Sequence, residues 1–358
     1  MIKDPMAQSA PADGKPIKPV NVAVIGTGRW GQNLVRKFAE LPESNLATVC
    51  DLDIARLETL TSRYPATRTT ANTSEVFLDD NIDAVVVASP APMHFEHAEA
   101  ALKAGRHVFV EKPITLDVRE AQILIDRADR ADRILMVGHL LMYHPAIKLI
   151  KSFIDKQDVG DIYYLYSQRL NLGTVRKDEN ALWSLAPHDI AVALHLIGKQ
   201  PLSVAAVGQC YLRPGVQDVV FVTIIFEGGI AAHSHVSWLD PHKTRKFTVV
   251  GSKKMVVFDD MESSEKVRLY DKGADLAAGY KKYGDDLTLR FGDILMPSLN
   301  MLEPLALECR HFIDCIQTGR RPLTDGQSGL EVLRILQAAQ TSLDNGGRPV
   351  ELKERAVE

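Results

Sequence analysis

The passage from Val20 to Gly31 constrains the fold more than any other. A short apolar run, Val20-Asn21-Val22-Ala23-Val24-Ile25, leads straight into Gly26-Thr27-Gly28-Arg29-Trp30-Gly31, and a helical pattern opens at Gln32. In such a strand–GxGxxG–helix unit the first glycine permits the tight turn and the second lets the backbone approach a pyrophosphate. The third lets the helix pack closely on the strand, and the helix N-terminus offers free N–H groups to the phosphates. Asp51 closes the next strand-like run, Leu46–Asp51, about 20 residues on, where an acidic side chain bonds the ribose hydroxyls and repels a 2′-phosphate. The passage predicts a dinucleotide site built from Gly26, Thr27, Gly28, Arg29, Trp30, Gly31 and Asp51, with NAD preferred to NADP. An ordinary glycine-rich turn beside a helix-capping Asp51 would share the residue types but would not require this order and context.

The pattern continues as alternating elements. Asp83–Ala88, His107–Glu111 and Ile134–Val137 read as strands; Gln32–Glu40, Ile54–Arg63, Phe95–Ala104 and Val118–Arg130 read as helices. Ala84-Val85-Val86-Val87-Ala88 is apolar on both faces, as a parallel sheet covered by helices on each side requires. Residues 20–141 are therefore expected to form a doubly wound α/β (Rossmann) domain. After Gly160 the pattern becomes strand after strand: Ile162–Gln168, Val204–Leu212, Val219–Phe226, Ile230–Leu239 and Lys246–Val250, with a hairpin signal at Glu227-Gly228-Gly229. Tight turns force antiparallel neighbours. Helical patterns at about Leu185–Gly198, Leu302–Gln317 and Gln327–Leu343 complete an α+β unit over 142–358 with a large, mostly antiparallel, open-faced sheet. Strands as apolar as Val219–Phe226 on a one-sided sheet need a cover, which predicts a homo-oligomer. Residues 1–19, with prolines at 5, 11, 16 and 19 among small and polar residues, are expected to be a disordered leader.

Composition excludes several classes. The chain has 358 residues, and Lys and Arg total 42 against 46 Asp and Glu, a formal net charge of −4. That balance disfavours nucleic acid and anionic membrane surfaces as partners. No stretch approaches the ~18 consecutive apolar residues of a membrane span, and no secretory signal is evident, so a cytoplasmic protein is expected. Cys50, Cys210, Cys309 and Cys315 form no CxxC pattern and read as reduced thiols. His233 and His235 share a strand face without a nearby cysteine or carboxylate ligand, so no metal is expected. The lysines and arginine of Lys243–Lys246, with Lys253 and Lys254, read as a solvated hairpin.

Glu111-Lys112-Pro113 ends the apolar strand Val108-Phe109-Val110. Ligands of open parallel sheets bind beyond the carboxyl ends of the strands, so Lys112 is delivered to the cofactor crevice, where it can donate to a reacting oxygen. On residue types alone an ion-paired surface lysine is an equal reading. Farther on, Ser184 and His188 fall at i, i+4 in a segment whose Pro187 suits a first helical turn. A histidine there can take a proton from a sugar hydroxyl, though a structural histidine at a helix start fits the same residues.

The combination of GxGxxG, Asp51 and Glu111-Lys112-Pro113 resembles the glucose–fructose oxidoreductase/inositol dehydrogenase/MocA family, and the layout of the second half is similar to that family's second domain. The resemblance implies an NAD-dependent sugar oxidoreductase. It assigns Lys112 as the active-site lysine, implies a cis Lys112–Pro113 peptide, and places Ser89, Pro90 and His94, with Glu111 and Lys112, beside the nicotinamide half. It also implies that His188 is the proton-transfer residue, although the family usually places Asp or Asn where this chain has Ser184. The segment from Arg169 to Asp189 looks like the subgroup acting on nucleotide-linked amino sugars, UDP-N-acetylglucosamine 3-dehydrogenases above all. On that reading Arg169 and Arg176 hold a diphosphate, Trp183 stacks on a ring, and Asn171, Ser184 and Tyr143 are further substrate contacts. Surface arginines and a core tryptophan fit about as well. The expected activity is oxidation of a secondary hydroxyl, the 3-hydroxyl of UDP-N-acetylglucosamine foremost. A 3-keto-sugar reductase and a free cyclitol or aldose dehydrogenase are the alternatives. A non-catalytic NAD-binding regulator on the same fold would not need both Lys112 and His188.

Overall fold

The computed structural model describes residues 18–173, 175–176, 179–276 and 287–352; the expected leader, up to residue 17, lies outside them. The first half alternates as β1 (Val20–Ile25), α1 (Gly31–Glu40), β2 (Ser44–Cys50), α2 (Ile54–Arg63), β3 (Arg68–Thr70), α3 (Thr73–Phe77), β4 (Ala84–Val87), α4 (His94–Lys103), β5 (His107–Glu111), α5 (Val118–Ala131) and β6 (Leu135–Gly138). The strands form a parallel six-stranded sheet in the order β3-β2-β1-β4-β5-β6. Alternate residues of β1 feed two separate cores. Val22 and Val24 pack with Leu34 and Phe38 on one face, while Ala23 and Ile25 pack with Ala98, Leu102 and Leu124 on the other. That is why the run is apolar without a period of two. The three-residue β3, with Arg68 exposed, left no comparable signal in the sequence.

The rest comprises α6 (Pro145–Asp155), β7 (Ile162–Leu170), α7 (Ala181–Ile197), β8 (Pro201–Gln209), β9 (Val219–Phe226), β10 (Ala231–Ser237), β11 (Thr244–Gly251), β12 (Met255–Asp259), β13 (Val267–Leu276), β14 (Leu287–Leu295), α8 (Pro304–Thr318), α9 (Gly326–Asp344) and β15 (Val350–Glu351). A nine-stranded sheet runs β14-β13-β12-β11-β7-β10-β9-β8-β15. Strands joined by tight turns are antiparallel, as at Gly228 (φ 79°) between β9 and β10. The exception is β7 with β10, which pair in parallel because α7, β8 and β9 intervene. Helix α6 escaped the sequence reading although its signals were present. Pro145 stands in the first turn and the His144 ring accepts the Ala146 N–H at 3.1 Å.

The two last helices return to the first sheet. The Thr324 carbonyl accepts the Val137 N–H at 2.7 Å, and Gly329 of α9 lies so close to β6 that a Cβ there would stand 2.6 Å from Val137 Cγ2. Phe312 of α8 is fully buried edge-on to Phe38 and Phe109, with ring centroids 6.4 and 5.7 Å away. Glu303, the residue before α8, accepts from Arg36 Nη2 and Lys37 Nζ of α1, both at 2.7 Å. These contacts clamp the second half on the first, so that α7 faces the carboxyl end of β5.

Candidate active site

Lys112 leaves β5 through a cis peptide to Pro113, and its Nζ donates to the main-chain carbonyl of Ser184 on α7 at 3.1 Å. Helix α7 begins at Ala181, earlier than the sequence pattern suggested, because Asn180 caps it by accepting the Trp183 N–H at 3.2 Å. Pro187 is therefore inside the helix and not in its first turn. Lacking an N–H, it cannot donate to the Trp183 carbonyl, and Lys112 docks on the adjacent carbonyl of that turn. His188 follows Ser184 by one helical turn, on the same face.

The electrostatics of this corner suit proton transfer. Burial, then the charges of Arg169 and Lys112, then His139 and Arg245, hold His188 well below its ordinary value, so its imidazole is neutral at neutral pH. Its Nδ1 has no hydrogen-bond partner among the described residues. Burial also lowers Lys112, against the opposing pull of Glu179 and Glu111. His139, directly after β6, is 2% exposed, and burial with the nearby Lys112 drives it to about 4. Neither of its ring nitrogens has a partner among the described residues. Sequence reasoning passed over His139; its place directly after the carboxyl end of a parallel strand was the available signal.

The glycine-rich turn meets the demands of a dinucleotide. A Cβ on Gly26 (φ +93°) would lie 2.6 Å from the Ala88 carbonyl, and one on Gly31 only 2.0 Å from Gly26 O. A Cβ on Gly28 meets nothing within 4 Å, which is the open side a pyrophosphate needs. Asp51 Oδ2 accepts Thr27 N–H at 2.6 Å and Thr27 Oγ1–H at 2.7 Å, while Oδ1 accepts the Asp53 N–H at 2.9 Å. Burial opposes its ionisation, but these bonds and Arg56, 3.8 Å away, hold the carboxyl below the usual range. Thr27 is buried and braces Asp51, whereas Arg29 is exposed on the turn. The Trp30 indole donates to Glu111 Oε1, and Glu111 Oε2 accepts the Lys112 N–H at 3.2 Å. Burial raises Glu111 to about 7. A charged carboxylate at the end of β2 and an open glycine at the start of α1 fit NAD.

Other predicted contacts are used differently. His94 is buried, with Nδ1 2.7 Å from the Pro113 carbonyl and Nε2 2.9 Å from that of Ser89, so it clips two loops together. Ser89 Oγ lies 3.0 Å from His97 Nδ1, and exposed Pro90 starts the short turn Ala91–Met93. Tyr143 is a core residue: it is 5% exposed and its hydroxyl pairs with Thr324 Oγ1 at 2.9 Å. Trp183 is partly buried, and its indole N–H donates to Gln340 of α9 at 3.1 Å, which ties α7 to α9. Arg169 is buried and places two donors on Asp189 Oδ1, at 2.6 and 3.0 Å. Arg176 pairs with Glu179 at 2.8 Å on the exposed side, and Asn171 follows β7 with its N–H on the Ser237 carbonyl at 3.1 Å. Arg245, assigned from sequence to a solvated hairpin, instead lies opposite Arg169 across the β7–β11 pair, on the inner face of the sheet. Its period-two spacing from the apolar Phe247 and Val249 was the available signal.

Comparison with known proteins agrees with this geometry. Residues 20–139 match the family described as "Oxidoreductase family, NAD-binding Rossmann fold", and residues 147–257 match the "GFO/IDH/MocA C-terminal domain". A UDP-N-acetylglucosamine 3-dehydrogenase of Acidithiobacillus ferrooxidans is 28% identical over 315 residues, spanning 88% of this chain and 94% of the relative. The scyllo-inositol 2-dehydrogenase (NAD+) of Bacillus subtilis is 26% identical, spanning 93% of this chain and 96% of the relative. A solved structure of the A. ferrooxidans UDP-N-acetylglucosamine 3-dehydrogenase GnnA superposes with a TM-score of 0.76 at 26% identity, over 91% of this chain and 97% of that one.

Proposed function

The chain belongs to the GFO/IDH/MocA family of oxidoreductases, and from that premise we propose that it is an NAD-dependent dehydrogenase oxidising the 3-hydroxyl of UDP-N-acetylglucosamine to the 3-keto sugar. The observation that carries this reading is the meeting of Lys112 with the Ser184–His188 turn at the carboxyl end of β5, beside the glycine-rich turn. Lys112 hydrogen-bonds the reacting oxygen and favours its developing negative charge. Neutral His188 takes the hydroxyl proton. NAD, when bound, supplies the acceptor for the hydride that leaves the same carbon. The relative at 28% identity supports the substrate, and Asp51 supports NAD over NADP.

Incubation with NAD and UDP-N-acetylglucosamine is expected to produce NADH absorbance, with an aminotransferase present to draw off the ketone. No signal under those conditions would remove this substrate. The second reading, a free cyclitol dehydrogenase, is favoured by one observation: Arg169 and Arg176 are each already held by a carboxylate, so neither stands free for a diphosphate. Turnover of scyllo-inositol without any nucleotide sugar would select it. The 3-keto-sugar reductase is the same chemistry run backwards and would show as NADH consumption on a keto sugar.

The outer face of the large sheet exposes Tyr164, Val207, Phe221 and Ile225. These side chains support self-association of the chain through that face, as a homo-oligomer, and a monomer by light scattering at micromolar concentration would contradict it. Among the described residues no helix is long and apolar enough to cross a membrane.

A further inference from the structure

We propose that Arg245 binds the anionic group of the substrate, a phosphate or a carboxylate carried on the sugar that reacts at His188. The inference deepens the dehydrogenase reading and rests on it. Antiparallel pairing sets Arg245 of β11 directly opposite Arg169 of β7. Buried Leu165, Ser167 and Arg169 alternate with more exposed residues on β7 and mark the inner face, and the register that sets Phe247 opposite Ser167 and Val249 opposite Leu165 puts Arg245 on that face too. Directly opposed like charges destabilise a strand pair unless an anion lies between them.

The anions nearby are already committed. Asp189 gives Oδ1 to both donors of Arg169, and its Oδ2 makes no hydrogen bond among the described residues. Asp260 is held by His144 Nε2 and Lys266 Nζ, each at 3.4 Å. Glu179 pairs with Arg176. Arg245, partly buried, has neither a side-chain hydrogen bond nor an ion pair among the described residues. Burial and the charge of Arg169 push it below its ordinary value, yet a guanidinium stays charged throughout the physiological range. Among the described residues the Lys112 ammonium donates to a neutral carbonyl, that of Ser184. Of the three cations around His188, Lys112 feels Glu179 and Glu111 and Arg169 is paired with Asp189, which leaves Arg245 as the cation without an ion pair among the described residues. A neutral sugar or cyclitol leaves that guanidinium without an ion pair. A phosphate or carboxylate accepts the planar fork of Arg245 in a bidentate pair.

The test measures equilibrium binding to the NAD-loaded protein by calorimetry, with UDP, UDP-N-acetylglucosamine, N-acetylglucosamine 1-phosphate, glucuronate, scyllo-inositol and N-acetylglucosamine as probes. Wild type is expected to bind at least one anionic probe. Arg245→Met should weaken that binding roughly 10- to 100-fold, the scale of a lost charge-assisted pair, while Arg245→Lys recovers part of it. NAD affinity should be unchanged in both variants, which reports that they are folded. Lys246→Gln, on the opposite strand face, should bind as wild type does. Binding of phosphate probes but not glucuronate identifies the source as phosphate, and the reverse identifies a carboxylate. If UDP and UDP-N-acetylglucosamine fail but another anionic sugar binds through Arg245, the proposed substrate falls and this inference stands. Equal affinity of Arg245→Met and wild type for every anionic probe overturns it, as does a wild type that binds neutral probes alone.

Discussion

Lys112 Nζ and the carbonyl of Ser184 stand 3.1 Å apart although 72 positions separate them in the chain. That one bond joins the end of a parallel strand to the first turns of a helix from the other half, and it holds the ammonium one helical turn from His188. The cofactor crevice and the substrate side are thereby brought to a single point. The clamp of α8 and α9 on the first sheet makes the meeting possible.

Removing the ammonium should reveal its role. Lys112→Met is expected to lower kcat by roughly 10²- to 10⁴-fold, the usual worth of a group that assists proton movement. Steady-state kinetics on whichever sugar turns over checks this. Full turnover in the variant would take Lys112 out of the chemistry.

The pH profile follows from the two depressed groups. His188 acts as a neutral base and titrates well below 6.5, so kcat/KM should stay level as pH falls from neutrality past 6.5 and drop only further down. Lys112 must be protonated to donate, and burial lowers it, so the alkaline limb should lie below 10.5. His188→Asn should lose the acid limb along with most of kcat. An acid limb centred at or above 6.5 contradicts the assignment.

Asp51 sets cofactor choice. Asp51→Ala removes the charge that bonds ribose hydroxyls and repels a 2′-phosphate, while Arg56 remains beside it. The ratio of kcat/KM for NAD over that for NADP should fall roughly 10- to 100-fold. An unchanged ratio would place cofactor discrimination elsewhere.

Two glycines three positions apart in the same motif separate folding from binding: an alanine Cβ at Gly31 would strike Gly26 O at 2.0 Å, and one at Gly28 meets nothing within 4 Å. Gly31→Ala should cost on the order of 2–4 kcal/mol of stability, as overpacking against backbone does. Gly28→Ala should keep wild-type stability but weaken NAD binding. Thermal denaturation and NAD titration distinguish them; a stable Gly31→Ala protein would show that the turn relaxes.

Glu308 of α8 is fully buried, and neither carboxyl oxygen has a partner among the described residues. Burial and then Glu111 raise it well above 4.5. The folded state therefore keeps a proton that the unfolded chain releases above 4.5, and stability falls as pH rises, by at most about 1.4 kcal/mol per pH unit. Glu308→Gln should flatten that alkaline loss in denaturant titrations. Three histidines that desolvation lowers act with the opposite sign. His107, His139 and His311 sit at about 4, so wild type and variant alike should lose stability as pH drops from 6.5 towards 4. Identical pH dependence of the two proteins from 4.5 upwards would show Glu308 to be ionised in the fold.

The sequence by itself determined what depends on local geometry and on period. The strand–GxGxxG–helix unit, Asp51 at the end of β2 and the delivery of Lys112 by β5 were legible, because glycine conformation, strand ends and two-sided burial leave marks within a dozen residues. Direction and partnership across the chain were not legible. Arg169 and Arg245 are the same residue type in polar surroundings, yet one is paired with Asp189 and the other has no ion pair among the described residues. Tyr143, Trp183 and His94 carry the polar tips of ligand contacts, but Thr324, Gln340 and two loop carbonyls take those tips from elements distant in sequence. Tertiary structure alone decided these matters, because a polar side chain's availability depends on which donors and acceptors the packed elements bring beside it, and no local pattern encodes that.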